Sequence, residues 1–298
     1  MILVLLAAGS GCGITVPANG QVTEPFWLDG HAGDGYGGDA GAGLDGGASA
    51  GTDGVLPGAD ATSTADGQGP SSEYFVFWNQ ARVLAHNAAP FGAEWQPSRT
   101  TTLGVMRIDW LGNKGQAWMV PCAVHSNEVA SSTLTYPSAF IDALAEGPFP
   151  MQRDGATLTL PGKTQWLGML AGYVGDMPDP GDGNHPALTD PDADGHPGAT
   201  IFINMPFFGD QAIYVAERAT TKWTTQRAAD GSAVALPLTD GVKVTVGATE
   251  SILVAANQDK ALPDEPPEEL RLTPTTAATG CMALMAAPAQ FTGISWPP

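Results

Sequence analysis

From about residue 73 onward, apolar positions alternate with polar ones in short runs, and Gly or Pro interrupts them at intervals of about 10 to 20 residues. Thr101 to Trp110, then Leu-Gly-Asn-Lys-Gly, then Gln116 to His125 predicts two strands joined by a Gly-containing hairpin loop. The same pattern predicts strands over Tyr74 to Ala85, Ala156 to Leu160, Thr164 to Val174, Thr200 to Met205, Ala212 to Thr221, Ala233 to Leu238 and Val242 to Ala255. A helical period occurs at Ser138 to Glu146, where Phe140, Ile141 and Leu144 share a face and Ser138 is placed to cap. Frequent breaks and little helical periodicity favour antiparallel connections over helical crossovers. The expected fold is therefore mainly β, a single antiparallel barrel or sandwich over residues 73–298. Trp110, Trp118, Trp166 and Trp223 could line a ligand cavity, although core packing is the ordinary role of each.

The pattern is different before residue 73. Residues 1–12, Met-Ile-Leu-Val-Leu-Leu-Ala-Ala-Gly-Ser-Gly-Cys, form an apolar run ending in small residues and a cysteine. This run resembles a bacterial lipoprotein export signal, which implies acylation of Cys12. It departs from that pattern in having no Lys or Arg before the apolar run and Gly9 where the usual signal has Leu. Residues 13–72 are dominated by Gly, Asp, Ala, Ser and Thr, with eight acids between Glu24 and Asp66 and no Lys or Arg before Arg82. Such a stretch buries too little apolar surface to offset its ordering entropy, so a disordered acidic tether is expected. No later segment has the ~18 uninterrupted apolar residues of a membrane-spanning helix.

Charge narrows the partners. The chain carries 12 basic and 31 acidic side chains, a formal net charge of −19. No nucleic-acid partner is expected, because phosphate binding requires a basic surface, and anionic lipids are disfavoured for the same reason. Membrane attachment would therefore run through a lipid anchor only. Beyond Cys12, Cys122 and Cys281 form an even pair, and in an oxidising compartment they are expected to make a disulfide.

One stretch spells out a chemistry. In Asp190-Pro-Asp192-Ala-Asp194-Gly195-His196-Pro197-Gly198, three carboxylates stand at alternate positions and a glycine follows the third. Oxygen-rich coordination of Ca²⁺ uses such side chains at positions 1, 3 and 5 of a curled loop, with Gly at 6 and a backbone carbonyl at 7, here that of His196. Position 12 is Ile201, where an EF-hand has a bidentate Glu. The core resembles the short calcium loops of thrombospondin type 3 repeats, and calcium is the expected cofactor. Asp176, Asp179 and Asp182 lie just upstream, and Asp182 is the candidate additional ligand. The side chains of His185 and His196 fit a loop better than a zinc site, since carboxylates and carbonyls suit a hard cation.

The layout as a whole is similar to a class of exported bacterial lipoproteins with an acidic Gly-rich tether and a β-rich domain. The pieces that match are Cys12, residues 13–72, Asp192 to Gly198 with Thr200, and the strand Ile213 to Arg218. The resemblance implies an outer-membrane, cell-surface or secreted location and calcium, but no reaction. A rival resemblance lies in Val124-His125-Ser126-Asn127-Glu128-Val129, which is similar to the His-x-x-Glu zinc motif of the carboxypeptidase and aspartoacylase family. It would use His125 and Glu128 as ligands with His185 or His196 as the third, but that family is α/β. No Gly-x-Ser-x-Gly elbow marks a serine hydrolase. The expected function is a non-enzymatic calcium-binding module for a small molecule, lipid or glycan, with a purely structural surface protein as the alternative.

Overall fold

The computed structural model describes residues 71–87, 95–129, 132–205, 208–254, 257–262, 265–277, 279–293 and 296–297. The expected signal, Cys12 and the tether as far as residue 70 lie outside the described residues. Ser71 and Ser72, which composition assigns to the tether, belong to the first strand.

The strands are β1 (Ser71–Asn87), β2 (Trp95–Leu111), β3 (Lys114–Ser126), β4 (Thr133–Thr135), β5 (Glu146–Asp154) and β6 (Thr157–Leu167). They continue as β7 (Ala199–Met205), β8 (Gly209–Gln226), β9 (Ala233–Ala235), β10 (Leu238–Ala248), β11 (Asn257–Ala261) and β12 (Glu268–Thr275). Short helices α1 (Ser138–Ala143), α2 (Cys281–Ala286) and α3 (Pro288–Thr292) and a 3-10 turn at Ser251–Leu253 complete the order. Neighbours run β4-β7-β8-β6-β5-β3-β2-β1-β12-β9, all antiparallel, with β10 beside β8 and β11 beside β1.

The path closes on itself. β9 pairs with β12 along one edge and meets β8 along the other through the Arg227–Ala233 bridge and the Ala228 N–H bond to Ser232 O at 2.8 Å. β8, β6, β5, β3, β2, β1, β12 and β9 thus form a barrel rather than two stacked sheets. Within this ring no strand is left as an edge, while β4, β10 and β11 each pair on one side only. Eight strands enclose a space that side chains can fill, and one apolar cluster draws buried residues from all eight.

Alternation explains which residues enter. On β1, Phe75 and Phe77 point inward, facing Met106 and Gly104 of β2 in register. A Cβ at Gly104 would stand 2.5 Å from the Phe77 ring, so glycine is what admits that ring to the centre. On the outer face, Arg271 lies over the Trp78 ring at 5.0 Å. One end of the barrel is closed by Glu73, which accepts hydrogen bonds from Arg153 and Arg227. These arginines in turn cover Trp110 at 4.7 Å and Phe75 at 5.5 Å. Where β3 finishes at the opposite end, Ser126 bonds Tyr136, and Phe140 and Leu144 join the core.

Several elements differ from the sequence pattern. α1 ends at Ala143, its cap position is Pro137, and Ser138 makes no capping bond. The runs at 156–160 and 164–174 are one strand, β6, interrupted by a bulge between Leu160 and Lys163 and finishing at Leu167. Trp110 and Trp223 pack in the core, while Trp118 and Trp166 face outward against Arg107 and the loop after β6. α2 and α3 cover the outer face of β1 to β3, where Leu284 packs with Val76, Trp78, Leu103 and Val105. The sulfurs of Cys122 on β3 and Cys281 at the start of α2 lie at disulfide distance, 2.00 Å.

Candidate metal centre

The site arises from an interruption in the barrel wall. β6 runs along one edge of β8 until Leu167 faces Glu217, and β7 resumes on the same edge with Ala199 facing Val215. Residues 168–198 are therefore an excursion inserted between two collinear strand segments. Two glycines pinch it shut. Gly168 (φ 66°) and Gly198 (φ 93°) face each other across Val215, and a Cβ on Gly168 would lie 2.5 Å from Val215 O and 2.8 Å from Gly198 Cα. Thr189 joins the two ends, its N–H donating to Gly168 O at 3.1 Å and its carbonyl accepting from Gly198 N–H at 2.7 Å.

The excursion folds back over the outside of β8 and β10. Met169, Tyr173, Met177, Ala187 and Leu188 pack there against Ala212, Tyr214, Ala216, Val244 and Val246. Polar ties hold its backbone: Trp166 Nε1 donates to Tyr173 O at 2.9 Å, Arg218 Nη1 to Gly175 O at 2.7 Å, and Gly181 N–H to Thr245 O at 3.0 Å. This segment thus has an apolar core of its own, which fixes the acidic turn that follows.

In that turn the carboxylates of Asp190, Asp192 and Asp194 converge, with one oxygen of each lying within 4.8 Å of the others. Positive φ at Ala193 (54°) and Gly195 (88°) provides the curl. Asp190 accepts the N–H groups of Asp194 at 3.2 Å and Gly195 at 2.9 Å, and Asp194 accepts His196 N–H at 2.9 Å. Thr200, the second residue of β7, donates its N–H to Asp192 at 2.7 Å and its hydroxyl to Asp194 at 2.5 Å. The group is therefore oriented partly by the barrel wall. The His196 ring stacks on Tyr214, with centroids 4.3 Å apart and planes 11° from parallel.

Electrostatics at the group favour a cation. Burial raises the Asp192 pKa above the usual carboxylate range, and the neighbouring Asp194 charge adds to it. Burial acts in the same sense on Asp190, but the N–H bonds from Gly195 and Asp194 overcome it and the pKa is lowered. Tyr214 is raised, by burial and then by Asp194. One oxygen of Asp192, Oδ1, is buried and makes no hydrogen bond. A cation bound among the three oxygens would give that atom a partner and offset the repulsion, which the residues present can do.

The remaining candidates lie elsewhere. Asp182 is outside the three-carboxylate group, and its Oδ1 accepts Asn184 N–H at 3.2 Å. The His196 ring is occupied with Tyr214, which leaves its backbone carbonyl as the group for the role expected of it. His125 packs edge-on to Trp296 at 6.2 Å, and His125, Glu128 and a downstream histidine do not come together as three ligands. The role of Thr200 as the anchor of two of the carboxylates is set by the fold. Its sequence signal is a hydroxyl residue entering a strand just after the acidic turn.

Compared with known proteins, the chain matches no family model, no curated protein and no solved structure.

Proposed function

We propose that this chain is an exported, calcium-binding surface domain that works by binding rather than by catalysis, with calcium stapling the 168–198 excursion to the barrel. The observation that carries this reading is the convergence of Asp190, Asp192 and Asp194, with Asp192 Oδ1 buried and unbonded. An all-oxygen donor set suits a hard cation such as Ca²⁺, which also takes backbone carbonyls and water. Export is supported by the Cys122–Cys281 pair, which suits an oxidising compartment. Attachment through a lipidated Cys12 belongs to the same proposal and would leave the barrel at the membrane surface. The partners in keeping with an acidic exterior domain are a small molecule, a lipid or a glycan.

A purely structural surface protein is the second reading. It is favoured by the large apolar side chains that occupy the barrel centre. For the metal, the test is thermal denaturation with calcium and with EGTA. EGTA is expected to lower the midpoint, and Asp192→Asn, which keeps an oxygen for Thr200 N–H, is expected to abolish that difference. Equal midpoints in calcium and EGTA for the unaltered chain would refute the assignment.

A further inference from the structure

We propose that the barrel interior is a proton-binding site, in which Glu217 and Glu268 hold a proton that the folded chain keeps at neutral pH and loses in alkali. Glu217 on β8 faces Lys243 of β10 on one side and Leu167 of β6 on the other. Lys163 of β6 faces Thr221 of β8, so it points inward as well, and it is ion-paired with Glu146 of β5. Glu268 of β12 faces the buried Ala81 of β1, and its Oε2 accepts the Thr239 hydroxyl of β10 at 2.8 Å. From β1 the neutral amide of Asn79 stands beside Glu268. The charged residues next in sequence on these strands, Arg82, Glu269 and Arg271, pair with one another on the outer wall.

Among the described residues, the interior thus holds three carboxyl groups, of Glu146, Glu217 and Glu268, against two ammonium groups, of Lys163 and Lys243. Glu217 is 2% exposed and Glu268 1%. Neither oxygen of Glu217 makes a hydrogen bond, nor does Oε1 of Glu268 or Oε1 of the neighbouring inward-facing Gln165. An ionised carboxylate without donors in such surroundings is costly, whereas a neutral carboxyl both removes the surplus charge and supplies an O–H donor. Burial accordingly pushes Glu217 up to about 8, with Glu268 and Glu146 adding to the rise and Lys243 opposing it. Burial likewise pushes Glu268 up to about 7 against the opposing effects of its Thr239 bond, the Asn79 amide and Lys163.

Unfolded glutamates release their protons near pH 4.3, so above that pH the unfolded chain binds fewer protons than the folded one. Stability is then highest on the acid side of the window. It falls as pH rises through the raised values, about 7 for Glu268 and about 8 for Glu217, and levels off beyond them. The barrel is in this sense a proton-dependent device, loosened by alkali.

The experiment follows the denaturation midpoint of the calcium-saturated chain between about pH 5 and about pH 9. The midpoint of the unaltered chain is expected to fall across that range, and Glu217→Gln, which mimics the neutral acid, to flatten the fall and raise the alkaline end. Infrared difference spectra of the unaltered chain over the same range need no variant that folds, and are expected to show loss of a protonated-carboxyl band that Glu217→Gln diminishes. A midpoint that does not fall, or the same fall in both Glu217→Gln and Glu268→Gln, would overturn the proposal, as would the absence of a carboxyl band.

Discussion

Gly198 and Gly195 sit three residues apart, and both have positive φ, 93° and 88°. Their surroundings differ. A Cβ on Gly198 would stand 2.9 Å from Val215 O, whereas one on Gly195 meets nothing within 4 Å. Gly195→Ala therefore isolates the backbone strain, with an expected loss of about 1 kcal/mol in chemical denaturation. Gly198→Ala adds a collision with the barrel wall at the point where the excursion rejoins it, and the expected loss is about 2 to 4 kcal/mol. Equal losses at the two positions would mean that the pinch against Val215 yields easily. The motif reading places glycine at 195 for its turn, and that requirement is visible in sequence because it is local. The need for glycine at 198 is not local, since it comes from a strand that begins eleven residues later.

Among the elements, β1, β2, β3 and β8 are legible in sequence from their long runs of apolar and β-branched residues. β5 and β12 are not. β5 carries Pro148 and Pro150, and β12 follows an acidic, Pro-rich stretch and places Glu269 and Arg271 on its outer face. In both, proline or charge hides inward residues such as Phe149, Met151, Leu270 and Leu272, which only the closed barrel buries. The acidic turn was legible for the opposite reason, because its spacing lies within one loop, while its anchor on Thr200 depends on the fold. The Cys122–Cys281 pair links β3 to α2 over a sequence separation of 159. Removing it with Cys122→Ser and Cys281→Ser is expected to lower stability by about 3 to 5 kcal/mol in the chain-entropy account, measured by denaturant titration. Because Leu284 still packs against Val76, Trp78 and Leu103, the helices should stay docked in the variant, and a preserved circular-dichroism spectrum would show it.

At the scale of the molecule, two sets of contacts hold separate parts. Strand pairing runs from β8 round to β9, the Arg227–Ala233 bridge returns β9 to the end of β8, and the centre is filled from all eight strands. The 168–198 excursion lies outside that circuit, fastened by its own apolar cluster, the glycine pinch and the bonds from Thr200 to Asp192 and Asp194. A cation at the three carboxylates would tighten the last of these fastenings and none of the barrel's. Regions that open locally are those whose stabilising contacts are few and separable from the main core. Calcium removal is therefore expected to raise amide hydrogen exchange within residues 168–200 and along the covered face of β8 and β10, while β1, β2, β3 and β12 keep their protection. Exchange measured by mass spectrometry on peptides, with calcium and with EGTA, resolves the two regions in one experiment. If protection were lost equally in the barrel strands, the ion would be holding the whole fold, and the excursion could not be a separately stapled part.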